Sequence, residues 1–527
     1  MKNTKILDCT LRDGGYVNEF RFGKSVISKI IAQLTDANID IIECGFLEDC
    51  VYDENSSIFN RVEQISPFIP SNRRNSMYVA MACYGEYSLD NLSIYDGTSI
   101  EGIRVTFHYN EVNEALEYCK KIQEKGYKLF VQPVGTTTYS DEKLISLIKK
   151  VNDIQPYSFY LVDTLGLMHQ EDVLRMFYLI NHNLNASINL GFHSHNNMQL
   201  SFSNCQTLVR QKTERTVFLD SSVYGMGRGA GNLNTELIAG YLNSNQSHQY
   251  EIEPLLEIVD EFIIQIKEKY TWGYSVPYYL AAINGCHPNY ASYLSNKQTL
   301  PIKAIGTILR MVEHEKRALF SEKIAEEKYR EFQEREIDDT QSIISLCQEI
   351  KGKNVLLLAP GYSLTENEQK IIDLAKQENC SVISVAFVPN FMDANYVFLS
   401  NLKRYNTSFN PTKKEVNLIH TSNIQIDNNP NKIAVNYSSL INEENAIMDN
   451  AAMMALNLLV KLSPKKVYIA GLDGYVPNKE NYYLDRLKFV QDKENILLQN
   501  KAMKNKIAEF KKRLIIEFLT PSLYVEK

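Results

Sequence analysis

The stretch Asn189–Asn197, NLGFHSHNN, decides how this chain is interpreted. Its apolar first residues are typical of a buried strand, which leads into His193 and His195 at its C-terminal end. Because side chains in a strand alternate between two faces, both imidazoles are expected on the same side. Two imidazoles on one face form half of a metal site, although a lone pair of this kind is more often one core histidine and one surface histidine. The neighbouring segments decide between these alternatives.

The segments around this stretch predict a closed barrel of parallel strands. Eight short apolar runs are predicted strands: Ile6–Thr10, Ile41–Gly45, Tyr78–Ala82, Gly102–Phe107, Lys128–Pro133, Ser158–Asp163, Asn189–His193 and Thr216–Val223. Five amphipathic segments are predicted helices: Lys24–Ala37, Glu111–Lys125, Asp141–Val151, Glu171–Asn181 and Met198–Gln211. Strands and helices that alternate in this way over about 240 residues are typical of an α/β TIM (β/α)8 barrel, which we assign to residues 1–250. The third unit is the weakest, because Tyr84–Tyr95 has room only for a short helix.

Polar residues follow the first, seventh and eighth predicted strands. Asp13 lies in the segment TLRDGG after strand one, and Asn232 ends the segment GMGRGAGN after strand eight. In a closed barrel strand one is a neighbour of strand eight, which is a neighbour of strand seven. These two residues and the two histidines are therefore expected to meet at one quadrant of the C-terminal rim.

The four side chains suit a divalent metal ion. Neutral imidazoles, a carboxylate and an amide oxygen are ligands of Mn²⁺, Mg²⁺, Co²⁺ or Zn²⁺, and they leave positions open to water or substrate. A cation held in this way can chelate a 2-oxo acid and stabilise the enolate that forms when the neighbouring carbon–carbon bond breaks. Arg12 would place a permanent positive charge near the same oxygen. The residues thus indicate Lewis-acid chemistry on a small 2-oxo acid.

Five motifs in the first half of the chain carry a family resemblance: LDCTLRDGG, IIECGF, VDTLG, GFHSHNN and SSVYGMGRGAGN. Together they resemble the metal-dependent aldolase and acyl-transferase barrels related to 3-hydroxy-3-methylglutaryl-CoA lyase, isopropylmalate synthase and 4-hydroxy-2-oxovalerate aldolase. The resemblance implies a divalent metal ion, with Mn²⁺ or Mg²⁺ favoured, on a ligand set of Asp13, His193, His195 and Asn232. It also implies that Arg12 stabilises the enolate.

The resemblance implies further site residues at the ends of two strands. Glu43 stands where the lyase branch carries a polar residue of the catalytic site, and Asp163 with Thr164 follows strand six. The alternative for these carboxylates is a salt bridge or a cap on a loop, which the sequence leaves open.

Two positions depart from the family pattern. Tyr16 stands where hydroxy-oxovalerate aldolases carry a histidine that serves as the base, and a tyrosine with a pKa near 10 is a poorer base. Either Tyr16 acts through metal-bound water, another group substitutes, or the substrate differs. Arg228 lies in the glycine loop that carries a cysteine in the lyase. It is predicted to bind a substrate carboxylate or phosphate, with an interface salt bridge as the alternative.

Three functions remain open at this point. Aldol or retro-aldol chemistry on a 2-oxo acid, with pyruvate as the enolate component, is ranked first. A Claisen condensation with an acyl-CoA is the alternative that the synthase branch performs. A barrel kept as a non-catalytic scaffold is the third, although a scaffold has no physical need for several convergent polar groups.

The second half of the chain predicts a helical appendage and another α/β domain. Residues 251–340 are predicted to be a helical appendage and linker, whose aromatic segment Trp272–Tyr290 is typical of a core or a subunit interface. In residues 351–527 six strands are predicted: Asn354–Ala359, Val382–Phe387, Tyr396–Ser400, Val416–His420, Lys432–Asn436 and Val467–Ala470. With helices at Glu366–Gln377, Asn445–Leu462 and Lys493–Lys512 they predict a doubly wound, Rossmann-like domain.

One turn of this second domain is a candidate ligand site. APGYSL follows an apolar strand and resembles the glycine turn of nucleotide- or nucleotide-sugar-binding folds. Gly361 and Ser363 are therefore candidate ligand residues, with a plain strand-to-helix connection as the alternative. VFLSNLKRY and AGLDGY resemble segments of domains linked to surface-polysaccharide enzymes.

Composition limits the partners of the chain. The 56 basic and 63 acidic residues give a net charge of −7, and no basic block is present that could follow a nucleic acid backbone. No signal peptide and no run of about 18 apolar residues is found. We therefore expect a cytoplasmic homodimer or higher homo-oligomer that acts on a small molecule and binds neither nucleic acid nor membrane.

Overall fold

The computed structural model describes residues 4–408, 416–426, 431–477, 479, 481–484 and 493–525. The chain divides into two compact units. The first comprises Met1–Ser292 and Glu313–Phe320, and the second comprises Tyr293–Val312 and Ser321–Lys527. Each unit contains one parallel sheet.

The sheet of the first unit is a closed barrel. Its strands are Thr4–Asp8 (β1), Ile41–Leu47 (β2), Ile58–Phe59 (β3), Met77–Cys83 (β4), Gly102–Phe107 (β5), Lys128–Pro133 (β6), Ser158–Asp163 (β7), Asn189–Ser194 (β8) and Val217–Ser221 (β9). All pairings are parallel, and β1 closes the barrel by pairing with both β9 and β2. The short strand β3 adds to the edge of β2 outside the ring of eight. The predicted TIM barrel is confirmed.

Amphipathic helices cover the barrel. They are Lys24–Asp36 (α1), Val112–Glu124 (α2), Asp141–Ile154 (α3), Gln170–Asn183 (α4), Ser201–Val209 (α5) and Thr235–Gln246 (α6). In α2 the buried residues recur at helical spacing, because Val112, Leu116 and Cys119 lie on one face. After β4 the chain forms only the short 3₁₀ turn Leu89–Asn91, as the sequence of the third unit predicts.

The period of two along the strands divides the barrel interior into an apolar layer and a polar layer. Leu7, Ile41 and Phe218 belong to one buried apolar cluster inside the barrel. Two residues further along β2 and β9, on the same face, stand Glu43 and Asp220, which are buried as well. The polar layer therefore lies on the carboxyl-terminal side of the apolar layer, where barrel enzymes bind substrate.

Further helices follow α6 in the middle of the chain. These are Glu253–Ile258 (α7), Ile264–Lys269 (α8), Val276–Ile283 (α9), Pro288–Asn296 (α10), Ile302–Met311 (α11) and Glu322–Gln333 (α12). The segment predicted as appendage and linker, 251–340, is thus helical, and its residues are shared between the two units. The domain boundaries at 250 and 351 stay predictions. Among the described helices, none combines the length and the apolar character that spanning a membrane requires.

The described residues of the second unit form a parallel sheet of seven strands. They are Asn354–Leu358 (β10), Ser381–Val385 (β11), Tyr396–Leu399 (β12), Leu418–Thr421 (β13), Lys432–Val435 (β14), Lys466–Ala470 (β15) and Ile516–Phe518 (β16). Their order is β14-β13-β12-β11-β10-β15-β16. The helices are Thr340–Ile350 (α13), Leu364–Gln377 (α14), Leu402–Ser408 (α15), Ala451–Leu462 (α16) and Lys493–Phe510 (α17). The sequence did not predict β16 or α15, which span only three and seven residues.

Both faces of this sheet are covered. Val355 and Leu357 of β10 pack in one apolar cluster with residues of α13, α16 and α17. Leu356 and Leu358 pack on the other face in a cluster with residues of α14. A parallel sheet with helices on both faces is a doubly wound α/β fold, as predicted.

Candidate metal centre

Three of the predicted metal ligands converge on the carboxyl-terminal rim of the barrel. The ligand atoms of Asp13, which follows β1, and of His193 and His195, at the end of β8, all lie within 4.8 Å of one another. Nε2 of His193 lies 3.8 Å from Oδ2 of Asp13. The two imidazole rings are nearly perpendicular, with centroids 5.1 Å apart. The structure therefore brings the motif after β1 and the HxH motif together, although about 180 residues separate them in the sequence.

Asn232 completes the group with an amide oxygen that is free of partners among the described residues. Its Nδ2 donates to Oδ2 of Asp13 at 2.6 Å and to the carbonyl of Met226 at 3.3 Å. Its Oδ1 is buried and accepts no hydrogen bond from any described residue. A buried acceptor without a donor is costly unless a cation or water satisfies it. Two imidazoles, one carboxylate and this amide oxygen fit a divalent ion.

The glycine loop after β9 is shaped by the lack of side chains. A Cβ on Gly227 would lie 2.4 Å from Nδ2 of Asn232, so any other residue would displace the amide. Gly231 adopts φ +79°, and a Cβ there would lie 2.0 Å from the carbonyl oxygen of Gly225. The glycines of GMGRGAGN therefore allow the backbone to hold Asn232 against Asp13.

A carboxylate that the sequence analysis did not identify orients His193. Oδ2 of Asp220, in β9, lies 2.9 Å from Nδ1 of His193. A hydrogen bond at Nδ1 fixes the tautomer in which Nε2, the nitrogen nearer Asp13, has a free lone pair. Asp220 in turn pairs with the guanidinium of Arg104, which is fully buried in β5. Both Asp220 and Arg104 could have been identified from the sequence, since each is a charged residue inside an apolar strand.

Arg12 is held by two carboxylates. Its Nε donates to Oε2 of Glu43 at 2.8 Å, and its Nη1 donates to Oδ1 of Asp13 at 3.0 Å. Nη1 of Arg104 lies 2.8 Å from the same oxygen of Glu43, which is inside β2 rather than at its end. Nη2 of Arg12 is buried and has no hydrogen-bond partner among the described residues. Arg12 therefore keeps one donor for a further acceptor.

The electrostatics of the group favour a cation. Burial raises the pKa of the Asp13 carboxyl, but Arg12, His195, His193 and Arg228 lower it by more, so that it lies well below its ordinary value. Burial lowers the pKa of His195 to about 4. At neutral pH the centre thus holds a carboxylate and a neutral imidazole, which are the protonation states that bind metal.

Asp163 and Thr164 hold loops. Both oxygens of Asp163 accept backbone amides, from Leu167 and Met168, each at 3.0 Å. Burial raises its pKa to about 6. The hydroxyl of Thr164 accepts the amide of Gly135 at 2.9 Å. These contacts fit the loop-capping alternative, and a direct catalytic role for either residue stays a prediction.

Tyr16, Arg228 and His287 form a second polar group near the ligands. The guanidinium of Arg228 lies 3.9 Å from the centroid of the Tyr16 ring. Its Nη1 lies 3.3 Å from Nε2 of His287, a residue that the sequence analysis did not single out. Burial, followed by the charges of Arg228 and His195, lowers the pKa of His287 to about 3. Partial desolvation of the hydroxyl raises the pKa of Tyr16, although 40% of the residue is exposed.

The remaining candidate residues, Gly361 and Ser363, lie in the second unit. The amide of Ser363 donates to Oδ2 of Asp473 at 2.8 Å, and its hydroxyl donates to Oδ1 at 2.5 Å. The groups predicted to bind an anion at the start of α14 therefore already bind a carboxylate of the chain.

Comparison with known proteins assigns the barrel. The HMGL-like family model matches residues 3–260. A 4-hydroxy-2-oxovalerate aldolase of Geobacillus genomosp. 3 is 25% identical over 242 residues, which are 45% of this chain and 70% of that protein. An oxaloacetate decarboxylase of Mycobacterium tuberculosis is 25% identical over 238 residues, 45% of this chain and 69% of that protein.

Among solved structures, the HMG-CoA lyase of Bacillus subtilis is 19% identical and superposes with a TM-score of 0.41, covering 51% of this chain and 94% of that one. The family model and the two curated relatives agree with the motifs at the carboxyl-terminal rim. Residues 3–260 of this chain therefore form an HMGL-like domain.

Proposed function

We propose that the HMGL-like domain is a divalent-metal-dependent carbon–carbon lyase that cleaves, and in reverse forms, a 4-hydroxy-2-oxo acid with pyruvate as the enolate component. The curated relatives named as an aldolase and a decarboxylase support a carbon–carbon lyase. The observation that carries the proposal is the convergence of Asp13, His193 and His195 within 4.8 Å. The oxygen of Asn232 beside them, which accepts a hydrogen bond from no described residue, adds a fourth metal-ligand atom.

Asp13, His193, His195 and Asn232 are the residues that would hold the ion. We propose Mn²⁺ or Mg²⁺ because two of the four donors are oxygen atoms, which these hard cations prefer, while Zn²⁺ and Co²⁺ are outcomes of the metal test. When bound, the ion supplies a Lewis acid that stabilises negative charge on a substrate oxygen.

Arg12 is positioned to stabilise the same negative charge. Glu43 and Asp13 bind two of its nitrogens, and Arg104 forms an ion pair with Glu43. The guanidinium is therefore oriented before substrate binds, and its remaining nitrogen, Nη2, can donate to an enolate oxygen without reorganisation. A lysine could not make these contacts together, because its ammonium is a single point of charge.

Aldol cleavage also requires a base for the proton of the substrate hydroxyl. Tyr16 is a poor base because its pKa is raised. The phenol therefore stays protonated at neutral pH. His287 does not replace it, because burial lowers the pKa of its imidazole to about 3 and its Nδ1 already accepts the amide of Asn289 at 3.2 Å.

Decarboxylation of a 2-oxo diacid is the second candidate. It breaks the carbon–carbon bond without removing a hydroxyl proton, so it needs no base. The raised pKa of Tyr16, at the position where the aldolases carry a base, favours this alternative. One of the relatives is named as an oxaloacetate decarboxylase.

An assay of pyruvate release distinguishes these reactions. The full chain is loaded with Mn²⁺ or Mg²⁺, and 4-hydroxy-2-oxo acids or oxaloacetate are added with a lactate dehydrogenase readout. We expect metal-dependent pyruvate from at least one substrate, and none above the metal-only background from the His195→Ala variant. Thiol release from acetyl-CoA in place of pyruvate would instead support the Claisen alternative. Metal binding without turnover of either substrate class would support the scaffold.

The predictions of a cytoplasmic location, of a homodimer or higher homo-oligomer, and of no binding to nucleic acid or membrane stay predictions. A role in surface-polysaccharide or related carbohydrate metabolism is likewise part of the proposal rather than a finding.

A further inference from the structure

The second unit contains a cavity of about 170 Å³ at the carboxyl edge of its sheet. It opens where the turns after β10 and β15 meet, and these two adjacent strands mark the point at which the strand order reverses. In open parallel sheets this crevice is the usual place for a ligand, because the turns diverge to opposite faces there. The location therefore indicates a binding site that is independent of the barrel.

Three motifs singled out in the sequence meet at this cavity. Gly361 comes from APGYSL, Arg404 comes from VFLSNLKRY, and Asp473 comes from AGLDGY. A Cβ on Gly361 would lie 2.3 Å from the carbonyl oxygen of Gly471, so the two turns approach as closely as backbone allows. Ala386, which also lines the cavity, adopts φ +64°, a strained conformation for a residue with a side chain. Such strain is concentrated at functional sites.

The lining has a basic part. Arg404 contributes a positive charge, whereas Lys297 is paired with Glu326 at 2.6 Å. A guanidinium binds phosphate oxygens in pairs. The two helix starts at the cavity do not add an anion site, since Asp473 accepts from Ser363 at the start of α14 and Asn450 accepts the amides of Ala452 and Met453 at the start of α16. An anionic group of the ligand is therefore placed near Arg404 rather than at Ser363.

The rest of the lining suits a hydroxylated ring. Tyr475 and Tyr482 form an aromatic wall with ring centroids 6.2 Å apart, and the guanidinium of Arg404 lies 5.8 Å from the centroid of the Tyr482 ring. Asp449 adds a carboxylate that can accept hydroxyl groups. An engineered cavity of about 150 Å³ holds a benzene ring, so this cavity is sized for one sugar ring, and only the sugar phosphate part of a nucleotide would lie inside it.

We propose that this cavity binds a sugar phosphate, either free or as part of a nucleotide, with the phosphate at Arg404 and the sugar between Asp449 and the tyrosines. A free sugar phosphate and a nucleotide share this chemistry, so the test must distinguish them.

The test is isothermal titration calorimetry on the full chain with AMP, CMP, GMP, UMP, glucose 1-phosphate and inorganic phosphate. We expect one site per chain for at least one ester, with inorganic phosphate binding more weakly. The Arg404→Ala variant should bind that ester about 10- to 100-fold more weakly, because it loses a charge-assisted contact. The control Arg513→Ala removes an exposed arginine that does not line the cavity and should bind normally.

A second variant covers the case in which Arg404→Ala does not fold. Ala451→Phe fills the cavity without changing its charge and should also abolish binding, with folding checked by circular dichroism. Asp13→Ala, in the barrel, should leave the binding unchanged, so failure of the lyase proposal and failure of this one are distinguishable. If only a nucleotide binds, the natural ligand is a nucleotide. If glucose 1-phosphate binds, the natural ligand is a free sugar phosphate. Absence of binding at millimolar probe, equal affinity for inorganic phosphate, or full affinity in both variants would overturn the proposal.

Discussion

The rim of the barrel and the carboxyl edge of the second sheet are built from the same kind of strand end, but their polar groups are used differently. At the barrel rim, Asp13 and Asn232 bind each other, yet one amide oxygen and one guanidinium nitrogen find no partner in the part of the chain that the structure describes. At the second sheet, the donors at the start of α14 are satisfied by Asp473, and the open space lies beside them. The barrel rim therefore has polar groups that are ready for an ion, whereas the second sheet has an open cavity whose nearest helix start is already capped.

The largest effect should come from removing an imidazole of the centre. His193→Ala or His195→Ala is expected to abolish both bound metal and lyase activity while the barrel stays folded, since each removes one of the predicted ligands. Metal content by mass spectrometry and pyruvate release measure the two losses. The exposed His182→Ala is the matched control. Retention of stoichiometric metal by both variants would contradict the predicted ligand set. The barrel rim would then have no more claim to a metal site than the second sheet.

The next effect should come from the carboxylate that orients His193. Asp220→Asn is expected to weaken metal binding by about 10- to 100-fold, as loss of a hydrogen-bonded partner behind a histidine ligand usually does. It should also lower the free energy of unfolding by about 3 kcal/mol, because Arg104 loses one of its two buried partners. Chelator competition and urea unfolding measure these changes. The exposed Asp260→Asn should change neither, and an unaltered metal affinity in Asp220→Asn would remove its assigned role.

A smaller effect is expected at Arg12. Arg12→Lys should keep the metal but slow turnover by about 10- to 100-fold, because an ammonium cannot reach Glu43, Asp13 and the substrate together. The measurement is kcat beside metal content, with the exposed Arg210→Lys as control. Turnover of Arg12→Lys at the rate of the unmodified chain would mean that the role assigned to the guanidinium is wrong.

The smallest effect concerns pH and His287. In the folded chain burial lowers the pKa of His287 from 6.5 to about 3, so the unfolded chain binds more protons between these values. Stability contributed by the neutral imidazole is therefore full above pH 6.5 and is lost as the pH falls. Between pH 7 and pH 5 the unmodified chain should lose about 2 kcal/mol more than His287→Gln. Urea unfolding at both pH values checks this, and parallel curves for the two proteins would contradict a buried neutral imidazole.

Much of the barrel could be predicted because its signals are local. The first and last residues of β5, β6 and β7 are those predicted from the apolar runs. Strand β1 ends at Asp8, two residues earlier than predicted, because its carboxylate accepts the amide of Thr10 and starts the turn. An apolar run does not show at which residue a side chain will accept a backbone amide and end the strand.

The convergence of the predicted ligands could be anticipated because topology is a strong constraint once a barrel is assumed. His287 could not, since it follows the barrel in the chain and nothing near it in sequence marks a site; only the fold places it beside Arg228. The pairing of Asp473 with Ser363 could not be predicted either, because 110 residues separate them. Arg104 and Asp220 could have been found, since a charge inside an apolar strand must have a buried partner.

The most direct test is an anomalous difference map from crystals of the full chain soaked in Mn²⁺. The account predicts one strong peak at the barrel rim, about 2.1 Å from Oδ2 of Asp13, Oδ1 of Asn232 and one nitrogen each of His193 and His195. A map with no peak there at saturating Mn²⁺, or with the two imidazoles facing apart, would contradict it.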